Sequence, residues 1–193
     1  MQLDNRNKSV KNKNSSIAWF KLSELITRGE KEKALNLYRL ISHSFDDKAY
    51  ILQVEGDILW SFEDTGALEK YKQAAFLYEK EKRATAATAI YEHLLTLEPK
   101  NYNYLLQLIT LYTKLDWWEK LKLHFNNLFG LLKKGGISKD QTWDAIEISM
   151  NLSKKLKTKS QISEKILEFL KKENSEFEKK AKKLCLTKNK EKE

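Results

Sequence analysis

From Ser16 to Leu186, apolar residues recur every three or four positions, and a single proline, Pro99, interrupts them. That period belongs to the amphipathic helix, where neighbours three and four apart share a face. A β fold needs sustained apolar/polar alternation and frequent turns. The chain has no such alternation, and its one proline is accompanied by only six glycines. The expected fold class is all-α.

The spacing predicts helices over about 16–27, 31–43, 48–62, 66–82, 84–97, 102–114, 117–132, 138–156 and from about 158 onward, the last either continuous to Leu186 or broken near Asn174-Ser175. Local signals mark the joints. Arg28-Gly29-Glu30 is a tight break, Asp46-Asp47 offers a cap, Asp64 or Thr65 caps the next helix, and Gly135-Gly136 ends a region. Three pairs have capping-box spacing: Asp116 with Glu119, Ser138 with Gln141, and Thr158 with Gln161. The organisation expected is a basic, disordered tail over 1–15, helical repeats over 16–133, a C-terminal helical cap over 137–186 and a disordered tail over 187–193.

Charge separates the ends from the middle. Residues 1–14 hold four basic side chains against Asp4, and residues 154–193 hold fourteen lysines against seven glutamates. The central part is nearly neutral, so the net +9 belongs to the ends. Only four of the 36 basic residues are arginine. Arginine is the residue suited to bidentate phosphate contacts, and a lysine-rich surface is more simply a solvated one. Nucleic-acid binding through the C-terminal lysines is therefore an alternative, not the leading expectation. Cys185 is the only cysteine, which excludes an internal disulfide. The first residues lack the apolar run of a secretory signal, and no stretch reaches the ~18 apolar residues of a membrane span. A cytoplasmic protein is expected.

Helices of this length joined by turns of a few residues form antiparallel hairpins. The clearest unit, YKQAAFLYEKEKRATAATAIYEHLLTLEPK over 71–100, resembles the tetratricopeptide repeat. Ala75 and Ala87 hold the small positions where that repeat's helices cross. Tyr78 and Tyr91 hold the aromatic positions, Leu94 the next packing position, and Pro99 the terminator. The spacing recurs about 34 residues later, with Tyr112, Leu121, Phe125 and Leu128, though Ile109 and Leu121 replace the small residues. A further unit fits Leu25, Gly29, Ala34, Tyr38 and Ile41, with Leu22 where a small residue belongs. One stretch is claimed twice. Gly56 and Leu59 look like a first helix whose second carries Ala67, Tyr71 and Ala74, yet 71–78 also opens the best unit. This stretch reads as a half-repeat or as a longer, irregular hairpin, and resembles the SNAP-like relatives of the family.

The resemblance implies a short right-handed superhelix of about nine or ten helices, an α-solenoid with a concave groove that holds a peptide or partner helix. Carried over residue by residue, the groove rows are Trp19 and Ser23; Gln53, Asp57 and Trp60; Lys72, Phe76 and Glu79; and Asn103, Leu106 and Thr110. Ser23, Asp57, Phe76 and Thr110 stand where members that clamp a C-terminal carboxylate place asparagine, so that mode of docking is not expected. From the residues themselves, Trp60 either lines a groove or fills a gap, and of Trp117 and Trp118 one packs while the other covers a hairpin end.

No catalytic or metal-binding pattern emerges. The chain has no phosphate-binding glycine loop, no H-E-x-x-H and no Cys/His metal spacing. His43, His93 and His124 fall on three separate helices and read as helix-face histidines; Cys185 reads as a packing residue beside Ala181 and Leu184. No enzyme activity, cofactor or metal is expected. The leading expectation is a non-catalytic scaffold or adaptor whose partner is a protein. A secretion chaperone or trafficking adaptor of the same type is the second reading.

Overall fold

The computed structural model describes residues 17–156 and 161–187. Both tails and Thr158, and with it the third predicted capping box, lie outside these residues. The described residues form ten helices and no strands: α1 (17–27), α2 (Lys31–Ser42), α3 (Lys48–Ser61), α4 (Gly66–Lys80), α5 (Ala84–Leu97), α6 (Tyr102–Leu115), α7 (Trp118–Lys133), α8 (Lys139–Leu156), α9 (Ile162–Glu173) and α10 (Ser175–Thr187). No described helix is long and apolar enough to cross a membrane.

Most joints follow the local chemistry. Gly29 reverses the chain between α1 and α2 at φ 72°, in the left-handed region that side chains avoid. The Asp47 side chain accepts the Tyr50 N–H at 2.9 Å and caps α3. Ser138 and Gln141 form a reciprocal box: Gln141 N–H donates to Ser138 Oγ at 3.0 Å, and Ser138 N–H to Gln141 Oε1 at 2.9 Å. The C-terminal helix is broken at Asn174, whose Oδ1 accepts from the N–H groups of Glu176 and Phe177 and so starts α10.

Two joints differ from expectation. Only Asp116 and Trp117 separate α6 from α7, so Asp116 takes the left-handed reversal that ends α6, at φ 60°. The N-cap position of α7 passes to Trp117, whose side chain makes no cap bond. At α4 the N-cap is Thr65, also without a side-chain cap bond; Asp64 Oδ1 instead accepts the Gly66 N–H at 2.7 Å.

The chain divides into two compact units at Ile90/Tyr91, inside α5, and not at the turn near residue 135. In the first unit, α3 packs far more extensively on α4 than on α2. Gly56 allows this approach. A Cβ on it would lie 2.8 Å from Cε1 of Tyr71, whose ring occupies the space a side chain would need. Ala67, Ala74 and Ala75, all fully buried, line the same side of α4. The segment that reads as a half-repeat in sequence is thus a tightly packed hairpin. Three ties hold its neighbours: Tyr38 Oη donates to the Ile51 carbonyl at 2.7 Å, Arg83 pairs with Asp47 at 2.7 Å, and Lys31 pairs with Asp64.

In the second unit α6 packs on both α7 and α8, α8 on α9, and α9 on α10. At the α6–α8 crossing, Thr113 Oγ1 donates to the Ile109 carbonyl at 2.8 Å and meets Ser149 Oγ at 3.1 Å, both residues being fully buried. Phe169 of α9 contacts both Phe125 and Phe129 of α7, with centroids at 5.8 and 5.6 Å, and Phe177 of α10 packs on Phe129 at 6.0 Å. Each such buried ring contributes on the order of 2–3 kcal/mol. The helices of the expected C-terminal cap thus share a core with α6 and α7.

Gly56→Ala should destabilise the protein by about 1–2 kcal/mol. The clash with Tyr71 outweighs the better helix propensity of alanine, which is worth about 1 kcal/mol. Urea unfolding measures this, and an alanine variant more stable than the parent would refute the close-packing account.

Candidate functional site

Two features of the folded chain can carry function, one in each unit. The first is an edge of the α3–α4 pair. Lys70 and Glu55 bridge one edge of the pair at 3.0 Å. On the other edge Tyr71 Oη donates to Asp57 Oδ1 and Tyr78 Oη to Gln53 Oε1, each at 2.8 Å. Gln53, Asp57 and Trp60 follow one another at four- and three-residue steps, as do Lys72, Phe76 and Glu79. Helix geometry puts Gln53, Asp57 and Trp60 on the tyrosine edge of α3, while on α4 Lys72 and Glu79 border that edge and Phe76 faces outward.

The α3–α4 pair thus carries both fixed polar groups and exposed rings. Phe76 is 63% exposed and Trp60 44%. Lys72 and Asp57 are exposed, and Gln53 and Glu79 are half-buried. Burial pushes the Tyr71 phenol well above its ordinary range, and its bond to Asp57 adds to this; both keep it a donor. Tyr78 is also raised, first by burial, and the Arg83 guanidinium lies 4.4 Å from its ring centre.

The other predicted rows fare differently. Trp19 is half-buried between Tyr38 and Phe45, with ring centroids at 6.3 and 6.0 Å, and so forms part of the packing of α1 on its neighbours. Ser23 is exposed on α1. Asn103 is exposed and Leu106 and Thr110 are half-buried, all on α6 in the second unit. Trp117, 43% exposed, stacks on Tyr112 at 5.9 Å, while Trp118 is half-buried.

The second feature is a slot of about 760 Å³ in the second unit, between the C-terminal half of α5 and α7 with α6 beneath. None of the predicted groove residues lines it. Leu95, Pro99, Leu105 and Leu131 form its apolar surface, and Glu92, Lys100, His124, Asn127 and Lys134 are among its polar groups. Glu92 Oε1 accepts from Tyr112 Oη at 2.5 Å and from Lys120 Nζ at 2.9 Å. Burial alone would raise the Glu92 carboxyl, but these two bonds outweigh it and hold the group below its ordinary value.

His124 is the unusual member. It is 5% exposed, and neither ring nitrogen has a hydrogen-bond partner among the described residues. Its ring stacks on Tyr112 at 5.3 Å with planes 7° apart. Burial depresses its pKa; the Glu92 carboxylate opposes this and the Lys120 ammonium adds to it. A neutral imidazole has one N–H and one lone pair. Leaving such groups unmatched inside a protein costs about 1–3 kcal/mol. In sequence His124 reads as one more helix-face histidine among Leu121, Phe125 and Leu128. Its seclusion depends on Tyr112, twelve residues away on another helix, and no local signal reports that contact. No group of side chains suited to a metal occurs among the described residues.

No known protein-family model matches the chain, and no characterised protein is significantly similar to it.

The His124 geometry has a pH consequence. The folded state holds the imidazole below the ordinary histidine value of about 6.5, so the unfolded chain binds the proton more readily. The neutral-histidine contribution is fully present above about pH 6.5 and is lost as the pH falls through the lower folded value. His124→Leu should flatten the dependence of the urea midpoint between about pH 7.5 and 5. Equal slopes for parent and variant would show that the imidazole is not shielded from protons.

Proposed function

We propose that this chain is a non-catalytic protein-interaction module built from tetratricopeptide-like helical hairpins. Its partner presents an apolar or amphipathic segment, a peptide or a helix, to the tyrosine edge of the α3–α4 pair. One observation carries the reading: Phe76 and Trp60 are large exposed aromatics on the same helix pair whose polar groups, Asp57 and Gln53, are held in place by tyrosines. Aromatic side chains of this kind dominate binding energy at protein interfaces, and a rigid backbone beneath them lowers the ordering cost. Lys72, exposed at the same edge, offers a charge to the rim of such a contact. The single thiol, Cys185, suits a reducing, cytoplasmic setting.

Affinity purification with the full chain, followed by quantitative mass spectrometry, tests the assignment when parent, Phe76→Glu and Trp60→Ala are run side by side. A partner that recognises this edge should bind each variant at least about tenfold more weakly, a hot-spot effect. Thermal unfolding of Phe76→Glu should change little, because Phe76 is 63% exposed. Partners captured equally by all three proteins would place the interaction elsewhere.

A further inference from the structure

One carboxylate oxygen ties three helices of the second unit together, and His124 stands beside both of its ties. Glu92 Oε1 of α5 accepts from Tyr112 Oη of α6 and from Lys120 Nζ of α7. Tyr112 is stacked against the His124 ring, and Lys120 lies one helical turn before His124 on the same side of α7. Both bonds fall on Oε1, and Oε2 takes none among the described residues. The imidazole itself is sealed, with neither nitrogen meeting a protein partner or solvent. The charges that act on it are Glu92 from α5 and Lys120 from its own helix, and Tyr112 is the titratable group that α6 sets against it. Among the described residues none comes from α8 or α9, on which α7 also packs. Lys100 and Lys134 line the slot near the C-terminal ends of α5 and α7.

This arrangement suits a neutral ring and not a charged one. An imidazolium has two N–H donors and no acceptor. Enclosed here, it would have nothing to donate to, and an unpaired buried charge costs far more than an unpaired neutral group. Glu92 has an oxygen to offer, and Lys120, 51% exposed, can return to water at little cost. We propose that His124 and Glu92 form an acid-operated latch: on taking a proton from solvent, the imidazolium leaves Tyr112 and pairs with the open oxygen of Glu92, and Lys120 is released. The proton reaches the ring during local opening of α7, and no covalent bond changes. Acid thus exchanges a surface cation on Glu92 for one drawn from the core, and opens the part of the slot that the ring had sealed. The neutral ring returns to its stack as the pH rises. The latch belongs to the second unit and does not depend on the peptide edge of the first.

NMR on the full-length protein between about pH 7.5 and 5, where carboxylates stay largely ionised, tests this. At the upper end the His124 ring protons should show nuclear Overhauser contacts to the Tyr112 ring. As His124 titrates, these should give way to contacts with the Glu92 methylenes, while those between Lys120 and Glu92 fade. Lys120→Ala, a surface change, frees Glu92 and should raise the His124 midpoint by about 0.5–1 pH unit. Glu92→Gln should lower the midpoint and keep the ring on Tyr112. If Glu92→Gln does not fold, the contacts in the parent and the shift in Lys120→Ala decide the matter. Phe76→Glu should alter none of these readings, so failure here is distinct from failure of the protein-binding assignment. A ring that stays neutral down to pH 5, or titrates while still stacked on Tyr112, overturns the latch. So does a ring that leaves Tyr112 equally well in Glu92→Gln. Loss of helix signal and of all second-unit contacts at the same midpoint also overturns it, because that is unfolding and not a switch.

Discussion

The Tyr71 ring lies against the bare backbone of Gly56, and the first unit is organised around that contact. A helix with a side chain at position 56 could not come so close. Because it does, the alanines of α4 become core residues and the two tyrosine hydroxyls reach across to α3. Those hydroxyls are large polar groups brought to the edge of a buried interface, and each needs an acceptor. Asp57 and Gln53 provide them. The same contacts that satisfy the phenols therefore fix the polar rim on which the proposed partner would sit. Stability and recognition at this edge share one piece of geometry.

The second unit solves a different packing problem. Here α6 is buried on more than one side and meets α8 through Thr113 and Ser149, whose hydroxyls meet each other and so avoid an orphaned polar atom. The phenylalanines of α7, α9 and α10 close the remaining space. Against that well-matched core, the slot beside α5 stands out. Its glutamate is doubly bonded, and its histidine is enclosed with no hydrogen-bond partner among the described residues, an exception in an interior that otherwise matches its polar groups.

Much of this was legible residue by residue. The three-and-four spacing located the helices up to Leu156, because burying one stripe per helix is a local requirement, but left open whether the segment after it was one helix or the two observed. Gly29, Asp47, Ser138 and Gly135 marked joints because capping and left-handed turns depend on a few neighbouring residues. The Asp116 capping box was misjudged for a related reason. A spacing motif does not reveal that the turn between two helices is too short to free its first residue from ending the preceding helix. The placement of the groove rows was only partly legible. Gln53, Asp57, Lys72 and Phe76 could be grouped from helical periodicity, but Trp19 turned out to be held within the packing of its own hairpin.

The amino-acid order alone determined that the chain is helical, roughly where most of its helices lie, and which face of each is apolar, since these follow from interactions spanning four residues or fewer. The tertiary structure decided which helices became partners, where one compact unit gives way to the next, and that a histidine on α7 would be sealed beside a tyrosine of α6. Those outcomes depend on the shapes of surfaces distant in sequence, and the free energy of fitting one to another is not written in any local stretch.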